Sequence, residues 1–447
     1  MAILLYNYYM KKIPLTKETR AVLTILNDHG YEAYLVGGSV RDAVMGLPQG
    51  DLDIATSATP ADVQQLFGHT VPTGIAYGTV TVFFDDVSFQ ITTFRSDGTY
   101  SDGRHPDDIT YTRSFQADLL RRDFTMNALA CGTDGIVVDL VGGLDDIQNR
   151  LVRCVGEAKK RFEEDQLRKL RAIRFMATLN FQLEEYTQNA ILENPSLSSL
   201  SKERIQSELN KILVSDGAGR AFYFMHNSAV LSAISPIFSI FSTESYPHSS
   251  AKDTLQYLVD VMNICPKMLP LRLAGLLIQP CQKTQNSAEG DALFSRVEYF
   301  LYEHKYPNDV IKRVMLLLRT CTDTTRRDDA SLKAMMDRYS ADEIEAIFTF
   351  QHCHARASLA KPISTLNDID ANIKAVARII ATGEPYKRRH LAISSQTLLD
   401  TGLVPHQLGS VYEMLLSHVW RHPEENNEEK LLTYLKQNMS RVKGGKK

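Results

Sequence analysis

The sequence has no recognisable cysteine pattern and no long apolar run, and its opening residues do not have the pattern expected of a signal peptide. Its six cysteines include no C-x-x-C pair, which argues against both a zinc site and a disulfide framework. No apolar run approaches the length that is needed to span a membrane. The opening residues place their apolar run before their lysines and offer no small-residue cleavage site. We therefore expect a cytoplasmic protein that keeps its thiols reduced and has no membrane partner.

The chain also has little net charge. Its 50 lysines and arginines stand against 53 aspartates and glutamates, which gives a formal net charge of −3. A chain of this balance is not a basic nucleic-acid binder as a whole, so a polyanion has to meet a local basic face. Clusters of lysine and arginine at residues 159–161, 387–389 and 441–447 are candidates for such a face, although each alone is also compatible with solvated surface charge.

The chain does have a clear change of pattern near residue 150. Its 447 residues, 44% hydrophobic and 23% charged, fit a globular protein of two to four domains. Before the change, β-branched and aromatic runs alternate with turn residues, and after it nearly every run has helical spacing. We predict an α+β head with a small mixed β-sheet, followed by an all-α neck, body and tail, at residues 1–150, 151–215, 216–340 and 341–447.

Several elements can be predicted individually. A helix is expected at TKETRAVLTILNDHG, with Thr16 as its N-terminal cap and Gly30 closing it. A long run of helical spacing extends from Glu157 to Phe181. Strands are predicted in the stretches YEAYLVGG, DLDIAT, GTVTVFF, SFQITTF and IVVDLV.

Two short motifs of the head point to chemistry. Asp51 and Asp53 lie at positions i and i+2 of a predicted strand, so both carboxylates project from the same face. Such a pair suits Mg²⁺, which proteins bind through one or two carboxylates together with substrate phosphates. The Gly37-Gly38-Ser39 turn precedes a short helix whose N–H groups can receive a phosphate. Each motif alone is weak, as a turn or a solvated strand end, but together they predict a triphosphate site beside a metal.

These motifs resemble the nucleotidyltransferase superfamily that includes DNA polymerase β, and within it the class II tRNA nucleotidyltransferases and bacterial poly(A) polymerases. Further stretches match that family in its usual order. They are TTFRSDGTYSDGRHPDDITY, LLRRDFTMNALA, RFEEDQLRKLRAIRF and KERIQSEL. A C-terminal stretch that begins LVPHQLGSVYEM also resembles CCA-adding enzymes of Gram-positive bacteria, so the similarity covers nearly the whole chain.

The resemblance implies a function for each matching residue. Contact with the nucleotide is implied for Gly37, Gly38, Ser39, Arg41, Arg171 and Arg174. Ribose recognition is implied for Arg122, Asp123 and Asn127. A flexible loop is implied around Asp97 and Arg104. Base selection is implied for Asp165 and Arg168, with Glu164, Glu203 and Arg204 in supporting positions.

Hydrogen bonding explains how Asp165 and Arg168 can select a base. On a helix these residues are three apart and share a face. A carboxylate accepts hydrogen bonds and a guanidinium donates them. Cytosine and adenine each present an amino donor beside a ring-nitrogen acceptor, whereas guanine and uracil present the opposite order. The pair therefore predicts selection of C and A, and the alternative is an exposed i,i+3 salt bridge.

The resemblance implies an enzyme that adds C, C and A to the 3′ end of tRNA from CTP and ATP. Asp51 and Asp53 would hold two Mg²⁺ ions that activate the primer hydroxyl and stabilise the departing pyrophosphate. A poly(A) polymerase or an enzyme that adds only the terminal A remains an alternative within the same chemistry. The sequence does not indicate an oligomeric state.

One departure from the family opens a further alternative. Many members carry Glu where this chain has Gln90, and a neutral amide cannot replace that charge at a metal. Either the two aspartates suffice, or another acid such as Asp85 or Asp86 contributes, or activity is reduced. A catalytically lapsed RNA-binding protein on the same scaffold is the alternative that Gln90 supports.

Overall fold

The structure, a computed structural model, describes residues 11–97, 109–241, 251–281, 287–358 and 363–443. The chain divides into two compact units. The first comprises Met1–Thr243 with Glu303–Lys305, and the second comprises Glu244–Tyr302 with Tyr306–Lys447. All strands of the described residues lie in the first unit.

The first unit contains a mixed β-sheet. The strands are β1 (Ala33–Val36), β2 (Leu52–Thr56), β3 (Thr70–Gly74), β4 (Thr79–Phe84), β5 (Val87–Thr93), β6 (Arg95–Asp97), β7 (Ile109–Tyr111), β8 (Leu129–Cys131), β9 (Val137–Asp139), β10 (Leu151–Val152) and β11 (Gln182–Leu183). Seven of them form one sheet in the order β3-β4-β5-β2-β1-β8-β9. The β2–β5 pair is parallel and the other neighbours are antiparallel. The remaining four form two separate pairs, β6–β7 and β10–β11.

Among the described residues of the first unit, eleven α-helices accompany these strands. They are α1 (Lys17–Asp28), α2 (Gly38–Met45), α3 (Pro60–Leu66), α4 (Phe115–Leu120), α5 (Gly143–Gln148), α6 (Ala158–Glu164), α7 (Leu167–Thr178), α8 (Glu185–Glu193), α9 (Lys202–Leu213), α10 (Ala218–Asn227) and α11 (Val230–Ile234). As predicted, the Thr16 side chain caps α1 by accepting the N–H of Thr19 at 3.1 Å. Gly30 follows α1 with a positive φ of 84°, which glycine adopts without strain.

The regular secondary structure of the described residues in the second unit is all helical. Their helices are α12 (Ala251–Ile264), α13 (Leu269–Cys281), α14 (Ser287–Glu303), α15 (Asn308–Thr320), α16 (Asp329–Arg338), α17 (Ala341–Ala357), α18 (Ile363–Thr382), α19 (Ser395–Asp400), α20 (Leu408–Arg421) and α21 (Glu428–Lys443). Within the described ranges, no helix has the length and apolar character to cross a bilayer. The division into neck, body and tail at residues 150, 215 and 340 stays a prediction.

The predicted fold class, a mixed sheet in the head followed by a mainly helical remainder, is confirmed. The five predicted strand stretches match β1, β2, β4, β5 and β9. Within the seven-stranded sheet the pattern missed β3 and β8, and it also missed the short strands β6, β7, β10 and β11. β3 carries Pro72 and lies at the sheet edge, where proline is tolerated because no further strand needs its missing N–H. β8 has only three residues, too few for alternation to be recognised.

The run of helical spacing from Glu157 to Phe181 is not one helix, and this prediction was wrong. α6 ends at Glu164, and Asp165 takes an extended conformation with φ −146° and ψ 106°. Its carboxylate then accepts the N–H of Leu167, at 2.9 Å, where α7 begins. Aspartate side chains compete with the backbone in this way, which favours helix ends over helix interiors. The spacing of apolar residues does not reveal such a break, because the helical period continues on both sides of it.

Candidate active site

A polar cleft of about 700 Å³ opens in the first unit where β1 ends and β2 begins. Eight arginines and five aspartates line it. This excess of positive charge suits a polyanionic ligand, and arginine donates in the planar geometry that fits phosphate. The predicted site residues in its wall are Gly37, Gly38, Ser39, Arg41, Asp51, Asp53, Arg122, Asp123, Asn127, Asp165, Arg168, Arg171, Arg174 and Arg204.

The two predicted metal ligands lie at the start of β2. Asp51 directly precedes the strand and is exposed, whereas Asp53 lies within it and is partly buried. Burial raises the pKa of Asp53 above its ordinary value, Arg122 opposes this shift and the neighbouring Asp51 carboxylate adds to it. A divalent cation between the two carboxylates would relieve this electrostatic strain, and two hard oxygen donors fit such an ion.

No third acidic or metal-binding side chain among the described residues joins Asp51 and Asp53 to form a metal site. Among the described residues there is no group of three or more His, Cys, Asp or Glu side chains that is arranged to hold a metal. Gln90 lies directly beside Asp53, because β2 and β5 pair in parallel with these two residues in register. Asp85 and Asp86 form the β4–β5 turn, about 13 Å along the strand from Gln90. They are too far away to complete the metal site.

The glycine turn is held against the carboxylates by strand pairing. Val36 pairs with Asp53 across β1 and β2, so Gly37 follows immediately beside the metal-ligand position. Gly37 has a φ of 75°, which side chains rarely adopt, and a Cβ there would crowd Nη1 of Arg122 at 3.2 Å. α2 then begins at Gly38, and its first backbone N–H groups have no partner within the helix. They can receive an anion in the cleft.

Arg122 joins this turn to a buried carboxylate that the sequence analysis missed. Its Nη2 donates to Asp118 at 3.2 Å, and Asp118 also accepts from Arg121 at 2.6 Å. Although burial opposes it, the two guanidinium groups hold the pKa of Asp118 below its ordinary value. Nε of Arg122 is buried and has no hydrogen-bond partner among the described residues. An anion in the cleft would satisfy such a donor.

A chain of hydrogen bonds connects the predicted ribose-recognition residues with two arginines. Nη1 of Arg41 donates to Asn127 at 2.7 Å, and Nδ2 of Asn127 donates to Asp123 at 3.2 Å. Nε of Arg171 donates to the other oxygen of Asp123 at 2.7 Å. Burial alone would raise the pKa of Asp123, but Arg171 and Asn127 outweigh it and lower that pKa. This series of hydrogen bonds holds α2 and α7 to the segment that carries Asp123 and Asn127.

The two predicted base-reading residues are held separately. One carboxylate oxygen of Asp165 accepts the N–H of Leu167, and the other accepts Nη2 of Arg204 at 2.9 Å. Nη1 of Arg168 donates to Glu164 at 2.6 Å. Because Asp165 precedes α7 while Arg168 lies within it, the premise that both lie on one helix was wrong. Both still line the cleft, each held by a partner of its own.

The supporting residues fall into different places. Glu164 accepts from both Arg161 and Arg168, and its supporting function stays a prediction. Glu203 is exposed in the first turn of α9, beside Arg204. In the predicted flexible loop, Asp97 ends β6, and Arg104 lies outside the described residues.

Two further arginines and an aromatic ring complete the wall. Arg174 forms an ion pair with buried Glu208 at 2.9 Å. Arg95, Arg121 and Phe175 also line the cleft and were not predicted. The positions of these three residues depend on tertiary contacts, which local spacing does not show. A local signal does exist for the ion pair between Asp118 and Arg122, because these two residues are four apart.

The fold and this cleft define a nucleotidyltransferase. Two family models match the first unit, "Poly A polymerase head domain" at residues 33–153 and "Probable RNA and SrmB-binding site of polymerase A" at residues 180–241. The CCA-adding enzyme of Enterococcus faecalis is 33% identical over 440 residues, which cover 95% of this chain and 97% of that protein. The chain therefore belongs to the CCA-adding enzyme family.

Other comparisons agree with this assignment. The CCA-adding enzyme of Lactobacillus gasseri is 50% identical over 202 residues, a match that spans 45% of this chain and about half (51%) of that relative. The crystal structure of the Bacillus stearothermophilus CCA-adding enzyme in complex with CTP is similar over 96% of this chain and 98% of that chain, with a TM-score of 0.69 and 29% identity. The Thermotoga maritima CCA-adding enzyme complexed with tRNA has the same fold, with a TM-score of 0.60 and 19% identity over 94% of each chain.

Proposed function

We propose that this chain is a template-independent tRNA nucleotidyltransferase that adds C, C and A to the 3′ end of tRNA from CTP and ATP and releases pyrophosphate. The observation that carries the proposal is the convergence of Asp51, Asp53 and the Asp165/Arg168 pair on one arginine-rich cleft. The carboxylates beside the glycine turn suit a metal and phosphates, and the Asp165/Arg168 pair suits a base edge. The bound CTP and tRNA of the structural relatives fit the same interpretation.

Asp51 and Asp53 would hold two divalent metal ions, Mg²⁺ in this proposal, since both offer hard oxygen donors beside the phosphate-binding turn. The ions would supply charge for activating the primer hydroxyl and stabilising the leaving pyrophosphate. Backbone N–H groups at the start of α2 orient the triphosphate. Arg122, whose Nε has no hydrogen-bond partner among the described residues, neutralises charge that develops next to the carboxylates.

Base selection follows from the way the reading pair is held. Each oxygen of Asp165 already accepts one hydrogen bond, and a carboxylate oxygen has room for a second. Arg204 and the Leu167 N–H therefore fix the carboxylate without consuming its capacity to accept an amino group. Glu164 fixes Arg168 in the same manner. We infer that C and A fit this rigid pair and that G and U leave both side chains facing like partners.

The test of this function is the length of the product. Purified protein is incubated with CTP, ATP and three tRNA substrates that lack the terminal A, CA or CCA. We expect all three to end at the same complete CCA terminus. Extension past that terminus with ATP alone would identify a poly(A) polymerase, and extension of only the first substrate would identify an A-adding enzyme. No pyrophosphate release from any substrate would identify a lapsed enzyme. We further propose that the reaction takes place in the cytoplasm, where tRNA matures.

A further inference from the structure

Phe175 occupies a central position in the wall of the cleft. It lies on α7, is 5% exposed, and packs edge-on against the ring of Phe124 at a centroid distance of 5.7 Å. Three guanidinium groups surround its ring. The Cζ atoms of Arg174, Arg41 and Arg171 lie 4.2, 5.1 and 5.7 Å from the ring centroid. Since Arg41 belongs to α2, the ring brings together cations from two elements.

Three positive charges around one ring repel one another, so other groups must offset this repulsion. Part of it comes from carboxylates, since each guanidinium has its own acidic partner. The pairs are Arg41 with Asp42, Arg171 with Asp123, and Arg174 with Glu208. These carboxylates lie on three different segments, so no single acidic group holds the three guanidinium groups together. The π face of Phe175 is the feature that all three cations share, and attraction between a cation and an aromatic face strengthens when water is excluded.

Two of these arginines, Arg171 and Arg174, have N–H groups that lie outside the contacts with their carboxylate partners. Arg171 contacts Asp123 through Nε and Nη2, which leaves Nη1 outside that contact. Arg174 contacts Glu208 through Nε, which leaves both of its Nη atoms outside that contact. All three arginines line the cleft. A guanidinium that is fixed on one edge by a carboxylate and on one face by a ring presents its remaining N–H groups in a defined direction. Phosphate oxygens are the natural acceptors for such groups.

We propose that Phe175 is a positioning residue whose aromatic face fixes Arg41, Arg171 and Arg174 for the phosphates of the bound nucleoside triphosphate. This inference rests on the proposed nucleotide-binding function of the cleft. Phe175 acts through the arginines and does not touch the reacting atoms. Its electronic character therefore matters for triphosphate affinity, in addition to its bulk, and it does not contribute to the choice of base.

Fluorinated phenylalanines separate electronic character from bulk. Each added fluorine withdraws electron density from the ring face and weakens cation binding while the shape of the ring is nearly kept. Full-length protein carrying mono-, di- or trifluorophenylalanine at position 175 is compared with wild type in single-nucleotide addition to tRNA. We expect KM for CTP and for ATP to rise stepwise, by about tenfold in the trifluoro protein. We expect kcat at saturating nucleotide to change less than about twofold, and the preference for C and A to be unchanged.

Two controls keep the inference falsifiable. The same fluorinated series at Phe181, a buried ring of the same unit, should leave KM unchanged. Phe175→Tyr, which keeps an electron-rich ring, should retain near-normal KM, whereas Phe175→Leu should raise it. A flat KM across the fluorinated series at Phe175 would overturn the proposal, because the ring would then act by bulk alone. Failure of the proposed function looks different, since the wild-type protein itself would then add no nucleotide.

Discussion

Asp53 lies in a position where its charge is held at an electrostatic cost. Burial raises its pKa and Asp51 adds to the effect, so the carboxylate contributes little to folding and its position is explained by a cation ligand. Asp51→Asn and Asp53→Asn should each lower kcat by about a thousandfold or more, since a metal ligand contributes several kcal/mol to the transition state. The measurement is single-turnover nucleotide addition in Mg²⁺. Asp145→Asn, on the exposed surface of α5, is the matched control.

The two variants should also remain folded and bind tRNA. Loss of a buried charge with a raised pKa does not destabilise the native state, so the melting temperature of Asp53→Asn should equal or exceed that of wild type. Near-normal turnover of either variant would contradict the metal assignment.

Asp118 contributes to stability in the opposite sense. Arg121 and Arg122 hold its pKa below the ordinary value, so its charged form stabilises the folded state above the pKa of the unfolded chain. That contribution is lost as pH falls through the lower, folded pKa. Asp118→Asn should therefore reduce the free energy of unfolding by about 3 kcal/mol at pH 7. The difference from wild type should shrink below about pH 4, where the unfolded carboxylate is protonated.

Urea denaturation at a series of pH values measures this dependence. Asp28→Asn, an exposed substitution in α1, should change the free energy of unfolding by less than about 0.5 kcal/mol at each pH. A pH-independent deficit in Asp118→Asn would show that the side chain acts by packing and not by charge.

The sequence predicts residues whose chemistry is local and misses residues whose positions depend on the fold. Asp51, Asp53 and the glycine turn could be identified because spacing along a strand fixes the direction of a side chain. Phe175 could not, since Arg41 and Phe124, which contact its ring, come from segments that only folding brings close. Asp118 was missed although its partners Arg121 and Arg122 are only three and four residues away. Arg204 was predicted through a family motif, but its contact with Asp165 spans 39 residues and has no signature in local spacing.

At the scale of elements, the break between α6 and α7 has a functional consequence. A continuous helix would place Asp165 and Arg168 on one face, where they could form an i,i+3 ion pair. The break instead turns Asp165 toward Arg204 of α9 and leaves Arg168 with Glu164. Apolar periodicity predicts the presence of helices in this region well, because burial of the apolar face stabilises each helix. It does not predict where one helix ends, because a single side chain decides that point.

The register between β2 and β5 makes a second element-scale prediction. Gln90 lies beside Asp53, so Gln90→Glu would add a third carboxylate to the metal position. We expect the affinity for Mn²⁺ without nucleotide to rise by about tenfold, as hard oxygen ligands with charge accumulate. Electron paramagnetic resonance of free Mn²⁺ measures this directly. Gln148→Glu makes the same chemical change at the exposed end of α5 and should have no effect. Equal affinity of the Gln90→Glu protein and wild type would contradict the register-based placement of the metal.

For the whole molecule, the net charge of −3 makes binding of tRNA depend on local basic surfaces. Phosphate contacts release counterions, so tRNA affinity should fall by about tenfold or more between roughly 50 and 200 mM salt. Filter binding at several salt concentrations measures this slope. An unstructured single-stranded RNA of equal length is the comparison. Equal affinity for both RNAs would favour a poly(A) polymerase over an enzyme that recognises the tRNA fold.

The central claim, that protein side chains replace a nucleic-acid template, is tested most directly by single-nucleotide incorporation with each of the four triphosphates. Wild type should accept CTP and ATP and reject GTP and UTP by more than about a hundredfold, because each wrong base leaves two polar groups unpaired. Asp165→Ala and Arg168→Ala should be slower and should lose most of this discrimination, whereas Asp51→Asn should only lose rate. If both base-reading variants were slow but discriminated as sharply as wild type, the base would be read elsewhere and the account would be wrong.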